Sequence, residues 1–228
     1  MYAINKYPDA LTQEFEAAAQ IVLETNPTVV LNMMAGGVPL DKYLPHSIEY
    51  FAFECNKEFA ELTHTQLCTL EHINMPDHSA DTIVNIASLH HSSTEERALF
   101  YKECLRILKP GGYLVIGDVM KGTRQDDWLN TFVNNYNSRG HNGNFWSADD
   151  CNLFCTTGFS EIQCKIENYN WCFENMHACT DFSKHLFGLD LASAAEIENG
   201  LVRYLEPQTI NGSLLLPWTL GYFIARRP

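Results

Sequence analysis

Positive charge is scarce in this chain: 15 Lys and Arg stand against 28 Asp and Glu, for a formal net charge of −13. A groove that tracks phosphates needs a basic stripe, and the only adjacent basic pair, Arg226 and Arg227, ends the chain. Nucleic acid is therefore not an expected partner, whereas a cationic or zwitterionic small molecule suits the charge. Long apolar runs are missing too, since no stretch approaches the ~20 residues of a membrane span. The opening MYAINKYPDALTQEF lacks the basic-then-apolar layout of a signal peptide. Eight cysteines occur without a single CxxC pair. Cys151 and Cys155 lie four apart on a predicted helix, but no further His or Cys follows at zinc-site spacing, so no metal is expected. That many free thiols fit a reducing compartment, and the chain reads as a cytoplasmic monomer or homodimer without a membrane partner. Internal repeats and low-complexity segments are likewise missing.

What is present is core-forming material. The 228 residues are 46% apolar and 12% aromatic, enough for one large domain. Leu11, Phe15, Ala18, Ala19 and Val22 recur at helical spacing before the Asn26-Pro27 breaker. Short apolar runs at 28–33, 48–53, 81–87 and 113–119 read as buried strands. Between them, 40–44 predicts a helical turn, 56–65 a helix, and 94–108 the clearest helix of all. Ser93 or Thr94 caps that last helix, Glu95 and Glu96 sit in its positive first turn, and Lys109-Pro110-Gly111-Gly112 stops it. Strand and helix alternating in this rhythm mean right-handed βαβ units and a parallel sheet. Beyond Lys121 the rhythm changes: helices are expected over 125–136, 148–156 and, in two pieces, 181–205, with strands over 159–172 and 213–225.

Two stretches carry a family resemblance: MPDHSADTIVNIASLHH, and YKECLRILKPGGYLVIGDV at 101–119. In order and spacing, residues 28–119 resemble the class I S-adenosylmethionine (SAM)-dependent methyltransferases, in particular their small-molecule branch. The resemblance implies a doubly wound α/β fold with a mostly parallel seven-stranded sheet and SAM bound at the carboxyl ends of its strands. It also implies a single domain over 1–228 with helical lid segments at about 1–15, 121–146 and 174–210. The KPGG portion, the most specific, is a helix-stopping device and says nothing by itself about chemistry.

The cofactor loop departs from the family pattern of an acid followed by G-x-G-x-G. Asn32 stands in the acid's place, Gly36 alone remains of the three spaced glycines, and Met34 and Val38 occupy positions that are usually bare. Met34, Ala35, Gly36 and Gly37 are the loop expected to approach the methionine end of SAM. Glu54 closes the second strand, where the resemblance implies an acid on the ribose hydroxyls, with Cys55 beside it. Leu70 and Glu71 fall where the adenine lies, with Thr69 replacing the family's Asp. Ser88 and Tyr7 complete the implied cofactor contacts. His90, His91 and Asp118 follow strand ends facing the same crevice and are the candidate catalytic groups, an imidazole being a base suited to neutral pH. Aromatics of the second half, among them Trp128, Trp146, Trp171 and Trp218, could contribute cation–π contacts to a sulfonium or simply form core.

Three functions follow as alternatives. The first is methyl transfer from SAM to a small-molecule acceptor. In the second, the same fold consumes SAM by intramolecular cyclisation or cleavage, releasing methylthioadenosine. In the third, the protein only binds and has lost the chemistry.

Overall fold

The computed structural model describes residues 2–35 and 40–228. In chain order its helices are α1 (Tyr2–Lys6), α2 (Thr12–Glu24), α3 (Lys57–Thr63), α4 (Thr94–Ile107), α5 (Arg124–Asp127), α6 (Asn134–Tyr136), α7 (Cys151–Thr157), α8 (Met176–Leu186) and α9 (Ala194–Leu205). Its strands are β1 (Val29–Met33), β2 (Glu49–Glu54), β3 (Gln66–Leu67), β4 (Ala80–Ile86), β5 (Leu108–Asp118), β6 (Ser160–Phe173), β7 (Gln208–Ile210) and β8 (Ser213–Arg226). They form one sheet in the order β3-β2-β1-β4-β5-β8-β6, with β7 paired to β8. The strands β3, β2, β1, β4 and β5 are mutually parallel, and β8 runs antiparallel to β5. This is the expected mostly parallel α/β sheet.

The chain divides into two compact units. One comprises 15–118, 146–166 and 221–228, and holds the parallel strands. Its strands are apolar on both faces: Val30, Leu31, Met33, Ile83, Val84, Leu114, Val115 and Ile116 are all fully buried. Two-sided cover explains why these segments read as continuous apolar runs rather than as alternation. Phe100, Cys104 and Ile107 of α4 and Ala18, Ala19 and Val22 of α2 supply helix faces buried in the same unit. Helix α4 starts in a complete capping box: Ser93 Oγ accepts from Glu96 N–H at 3.2 Å, and Glu96 Oε2 accepts from Ser93 N–H at 2.7 Å.

The KPGG turn is resolved in detail. Leu108 already pairs with Ala80, and regular pairing resumes only at Tyr113 with Thr82, so residues 109–112 bulge within β5 instead of preceding it. Gly111 adopts φ +82°, and a Cβ on Gly112 would stand 2.8 Å from the Asp81 carbonyl. The first glycine thus provides a left-handed turn and the second a close backbone approach. Lys109 Nζ pairs with Asp81 Oδ1 at 2.8 Å, while Asp81 Oδ2 accepts from Thr28 N–H, Thr28 Oγ1 and Val29 N–H.

Asp81 gives a pH prediction. Partial burial raises its pKa, but the Lys109 and Thr28–Val29 hydrogen bonds outweigh this and bring it down to about 2. A depressed carboxyl pKa stabilises the fold above the unfolded value, and that contribution disappears as pH falls through the folded value. Asp81→Asn is expected to cost about 2 kcal/mol at neutral pH and to flatten the loss of stability between about pH 4 and pH 2. Urea melts across that range would check it; parallel wild-type and variant curves would refute it.

The other unit comprises 1–14, 119–145 and 167–220. The segments expected as a lid fall largely within it. Helices α5 and α6 are joined by a π-helical turn over Trp128–Val133. Aromatic stacking dominates its interior: Trp171 and Trp218 rings stack at 4.0 Å, and Trp128 and Phe132 at 4.6 Å. Trp128, Trp171 and Trp218 are buried, so these rings pack as core within the unit. Among the described residues, no helix is long and apolar enough to cross a membrane.

Candidate functional site

The order β3-β2-β1-β4-β5 reverses between β1 and β4, and ligands of open α/β sheets bind at the carboxyl ends of strands beside such a reversal. Here that edge is built by β1, β2, β4 and β5, all within the unit that holds the parallel strands. Met33 lies level with Phe53 on one side and Asn85 on the other, and Ile86 lies level with Gly117. The chain leaves β1 through Met34 at φ +54° and leaves β4 through Ala87 at φ +51°. Both are left-handed turns without glycine, an uncommon backbone state. Ala35 N–H donates to the Phe53 carbonyl at 2.9 Å, and Ala87 N–H to the Gly117 carbonyl at 2.7 Å, which holds both turns against neighbouring strands.

Glu54 closes β2 with only 6% exposure. Its Oε1 accepts from Cys55 N–H at 2.7 Å and from Asn56 N–H at 3.0 Å, which orients the carboxylate at the strand end. The Cys55 and Cys68 sulfurs are 3.7 Å apart. Their hydrogen bond lowers the Cys55 pKa and raises that of Cys68, so Cys55 is the more acidic thiol of the pair. Leu70 and Glu71 form the tip of a turn closed by Thr69 and His72, whose backbones exchange hydrogen bonds. The Thr69 hydroxyl also accepts from His72 N–H, so this side chain shapes the turn. Asn32, at the family's acidic position, donates to the Tyr50 hydroxyl at 2.8 Å.

At the β4–β5 side, His90 Nδ1 lies 2.9 Å from Asp118 Oδ1, and His90 N–H donates to Asp118 Oδ2 at 3.2 Å. A carboxylate only accepts, so Nδ1 carries the proton in this bond and the basic site of the ring is Nε2. Asp118 is fully buried and His90 is buried. The His91 ring packs on His90 at 4.1 Å. Part of it faces solvent, yet burial and then the adjoining His90 push its pKa down to about 4, which keeps it neutral at physiological pH.

Sequence reasoning overlooked two residues here. Asn85 is a polar residue inside the apolar run DTIVNIA, which was its signal. Its Nδ2 donates to the Met33 carbonyl at 2.7 Å and to Ser88 Oγ at 2.8 Å, while its Oδ1 is buried without a hydrogen-bond partner. A buried acceptor left unmet costs about 1–3 kcal/mol. Arg97 is the other: its guanidinium lies 4.2 Å over the ring of Trp146, donates to the Leu89 carbonyl at 3.1 Å, and pairs with Asp150 at 3.4 Å. Arg97 is 1% exposed and so anchors the segment that carries His90. Arg97→Ala should lower stability by about 2–4 kcal/mol, because it removes a buried hydrogen bond to the Leu89 carbonyl and the ion pair with Asp150. Arg97→Lys should recover less than half, because an ammonium cannot stack and fork together. Chemical denaturation distinguishes these outcomes.

Tyr7 belongs to the other unit, where its hydroxyl donates to Asp181 Oδ2 at 2.9 Å beside the Lys6–Asp181 ion pair. Gly36 and Gly37 lie outside the described residues. The site can nevertheless be tested against SAM. A buried carboxylate at the β2 end suits a diol, and the unmatched Asn85 carbonyl between β1 and β4 suits a hydrogen-bond donor. SAM has both groups, so the described residues fit it.

Residues 43–116 match a family model described as a methyltransferase domain. In sequence, the chain matches none of the curated proteins. Solved structures are similar in fold. The YcgJ protein of Bacillus subtilis aligns with TM-score 0.62 at 16% identity, over 93% of this chain and 99% of its own. A SAM-dependent methyltransferase from Archaeoglobus fulgidus gives 0.58 at 16% identity, over 98% and 97%. The 4+2 cyclase SpnF gives 0.57 at 16% identity, over 93% and 81%. At such identities the structures speak for the fold alone, and the domain model spans the stretch from β2 to β5. The chain thus carries a methyltransferase-domain match over 43–116 within the Rossmann-like fold of SAM-dependent methyltransferases, and SAM is its expected cofactor.

Proposed function

We propose that this protein transfers the methyl group of SAM to a small-molecule acceptor, with His90 as the base and Asp118 as its positioning partner. The observation that supports this most is the buried His90–Asp118 pair at the β4–β5 end of the strand edge that Glu54 closes at β2. When bound, SAM supplies an electrophilic methyl group on a sulfonium. Glu54 holds the ribose hydroxyls, with Cys55 beside it, and Leu70 and Glu71 border the adenine. Met34, Ala35 and Ser88 border the methionine end.

The chain's remaining task is orientation and proton removal. Asp118 holds the proton on His90 Nδ1, which leaves Nε2 to take one from an acceptor amine, hydroxyl or thiol as its nucleophilicity is needed. His91, neutral by virtue of its lowered pKa, adds no charge that would oppose the imidazolium formed. Excluding water and aligning the acceptor supply most of the rate in such displacements. The acidic surface favours amine-bearing acceptors.

Incubation with SAM and a panel of small amines, phenols and thiols, read by mass spectrometry, tests the proposal. S-adenosylhomocysteine with a methylated acceptor supports it. Methylthioadenosine without a methylated acceptor would instead establish intramolecular cyclisation or cleavage. Failure to bind SAM at millimolar concentration would make the protein a binding module that has lost the cofactor.

A further inference from the structure

The family's first loop approaches the methionine end of its cofactor with spaced glycines, and this chain has lost most of them. One residue on the adjoining strand is placed to compensate. Asn85 is fully buried on β4, level with Met33 at the end of β1. Its amide cannot be turned over: Nδ2 donates to the Met33 carbonyl, which offers no proton in return, so the other atom must be the carbonyl oxygen. That oxygen is buried and meets no donor. It lies where β1 and β4 part, beside Ser88, whose hydroxyl takes the second Nδ2 proton. A buried acceptor with a fixed orientation selects for a ligand that brings an N–H or O–H.

Resting on the SAM reading above, we infer that the Asn85 side-chain carbonyl accepts a hydrogen bond from the cofactor's α-ammonium group. The donors on SAM are the adenine amine, the ribose hydroxyls and this ammonium. Glu54 at the β2 end claims the ribose, and Leu70 and Glu71 beyond β3 border the adenine, so both lie on the far side of β1 from Asn85. The donor left for the β1–β4 boundary is the ammonium. A side chain on a strand thereby performs what a close backbone approach performs elsewhere, and Met34 can carry a Cβ without loss of the contact.

Calorimetry with two probes decides the matter: S-adenosylhomocysteine, which carries the α-ammonium, and 5′-methylthioadenosine, which keeps adenine and ribose but lacks it. Asn85→Ala should weaken S-adenosylhomocysteine at least tenfold and leave methylthioadenosine within twofold. Should Asn85→Ala fail to fold, Asn85→Ser serves in its place with the same expected split between the two probes, since its shorter side chain withdraws the acceptor. Equal weakening of both probes would mean that Asn85 only shapes the turn, and no change in either would mean that its carbonyl never meets the cofactor; both results overturn the inference. A wild-type chain that binds neither probe would overturn the cofactor reading itself, and this inference with it.

Discussion

Glu54→Ala is expected to weaken SAM binding by at least 100-fold, measured by calorimetry on the folded variant. The carboxylate is 6% exposed and already oriented by two backbone N–H groups, so little ordering cost remains when a diol approaches. Charge-assisted hydrogen bonds contribute roughly 1.5–3 kcal/mol each, and two of them at ~1.4 kcal/mol per tenfold give two or more powers of ten. Glu54→Gln keeps an oxygen for one hydroxyl but loses the charge, and should fall between wild type and alanine. Because Oε1 also accepts from Cys55 and Asn56 N–H, the alanine variant will lose stability as well. Thermal melting without ligand measures that loss separately. Undiminished affinity in a folded Glu54→Ala protein would remove the ribose role altogether.

The second large effect concerns turnover. On whichever acceptor supports methyl transfer, His90→Ala should cut kcat by about 10²–10⁴-fold, the usual contribution of a positioned base, with SAM affinity unchanged. Asp118→Asn should approach that loss while leaving the imidazole in place. The amide can offer its N–H to the ring, and this favours the tautomer with the proton on Nε2, where a base is needed. A packing role alone would give a different pattern: lower melting temperature, little change in kcat, and the same pH–rate profile. The proposed roles require that the rise of rate with pH disappear in His90→Ala and persist, displaced, in Asp118→Asn. A kcat within threefold of wild type in His90→Ala would assign proton removal elsewhere.

Much of the scaffold was readable along the chain because its determinants are local. Buried parallel strands need apolar residues on both faces, which makes runs such as VVLNM and YLVIG conspicuous. Helix α4 announces itself through Ser93 and Glu96, and its end through Pro110 and the glycines, since caps and breakers act on the nearest few residues. The start of β5 was misplaced for a related reason. A bulge keeps its strand pairing across Leu108, and pairing is a property of the partner strand, not of the bulged residues.

By itself, then, the sequence determined the alternation of strands and helices, the helix stops, and the placement of Glu54, His90 and Asp118 at strand ends. Only the tertiary structure decided which of these groups meet. His90 and Asp118 are 28 residues apart, and their 2.9 Å contact exists because β4 and β5 lie in register. Asn85 and Met33 are 52 apart, and the Asn85 amide is oriented only because β4 returns beside β1 after two intervening strands. Arg97 finds Trp146 and Asp150 in the same way. Secondary structure answers to neighbours in the chain, whereas a buried polar group takes whatever partner the packed strands bring to it. The proposed SAM site is accordingly a product of register as much as of motif.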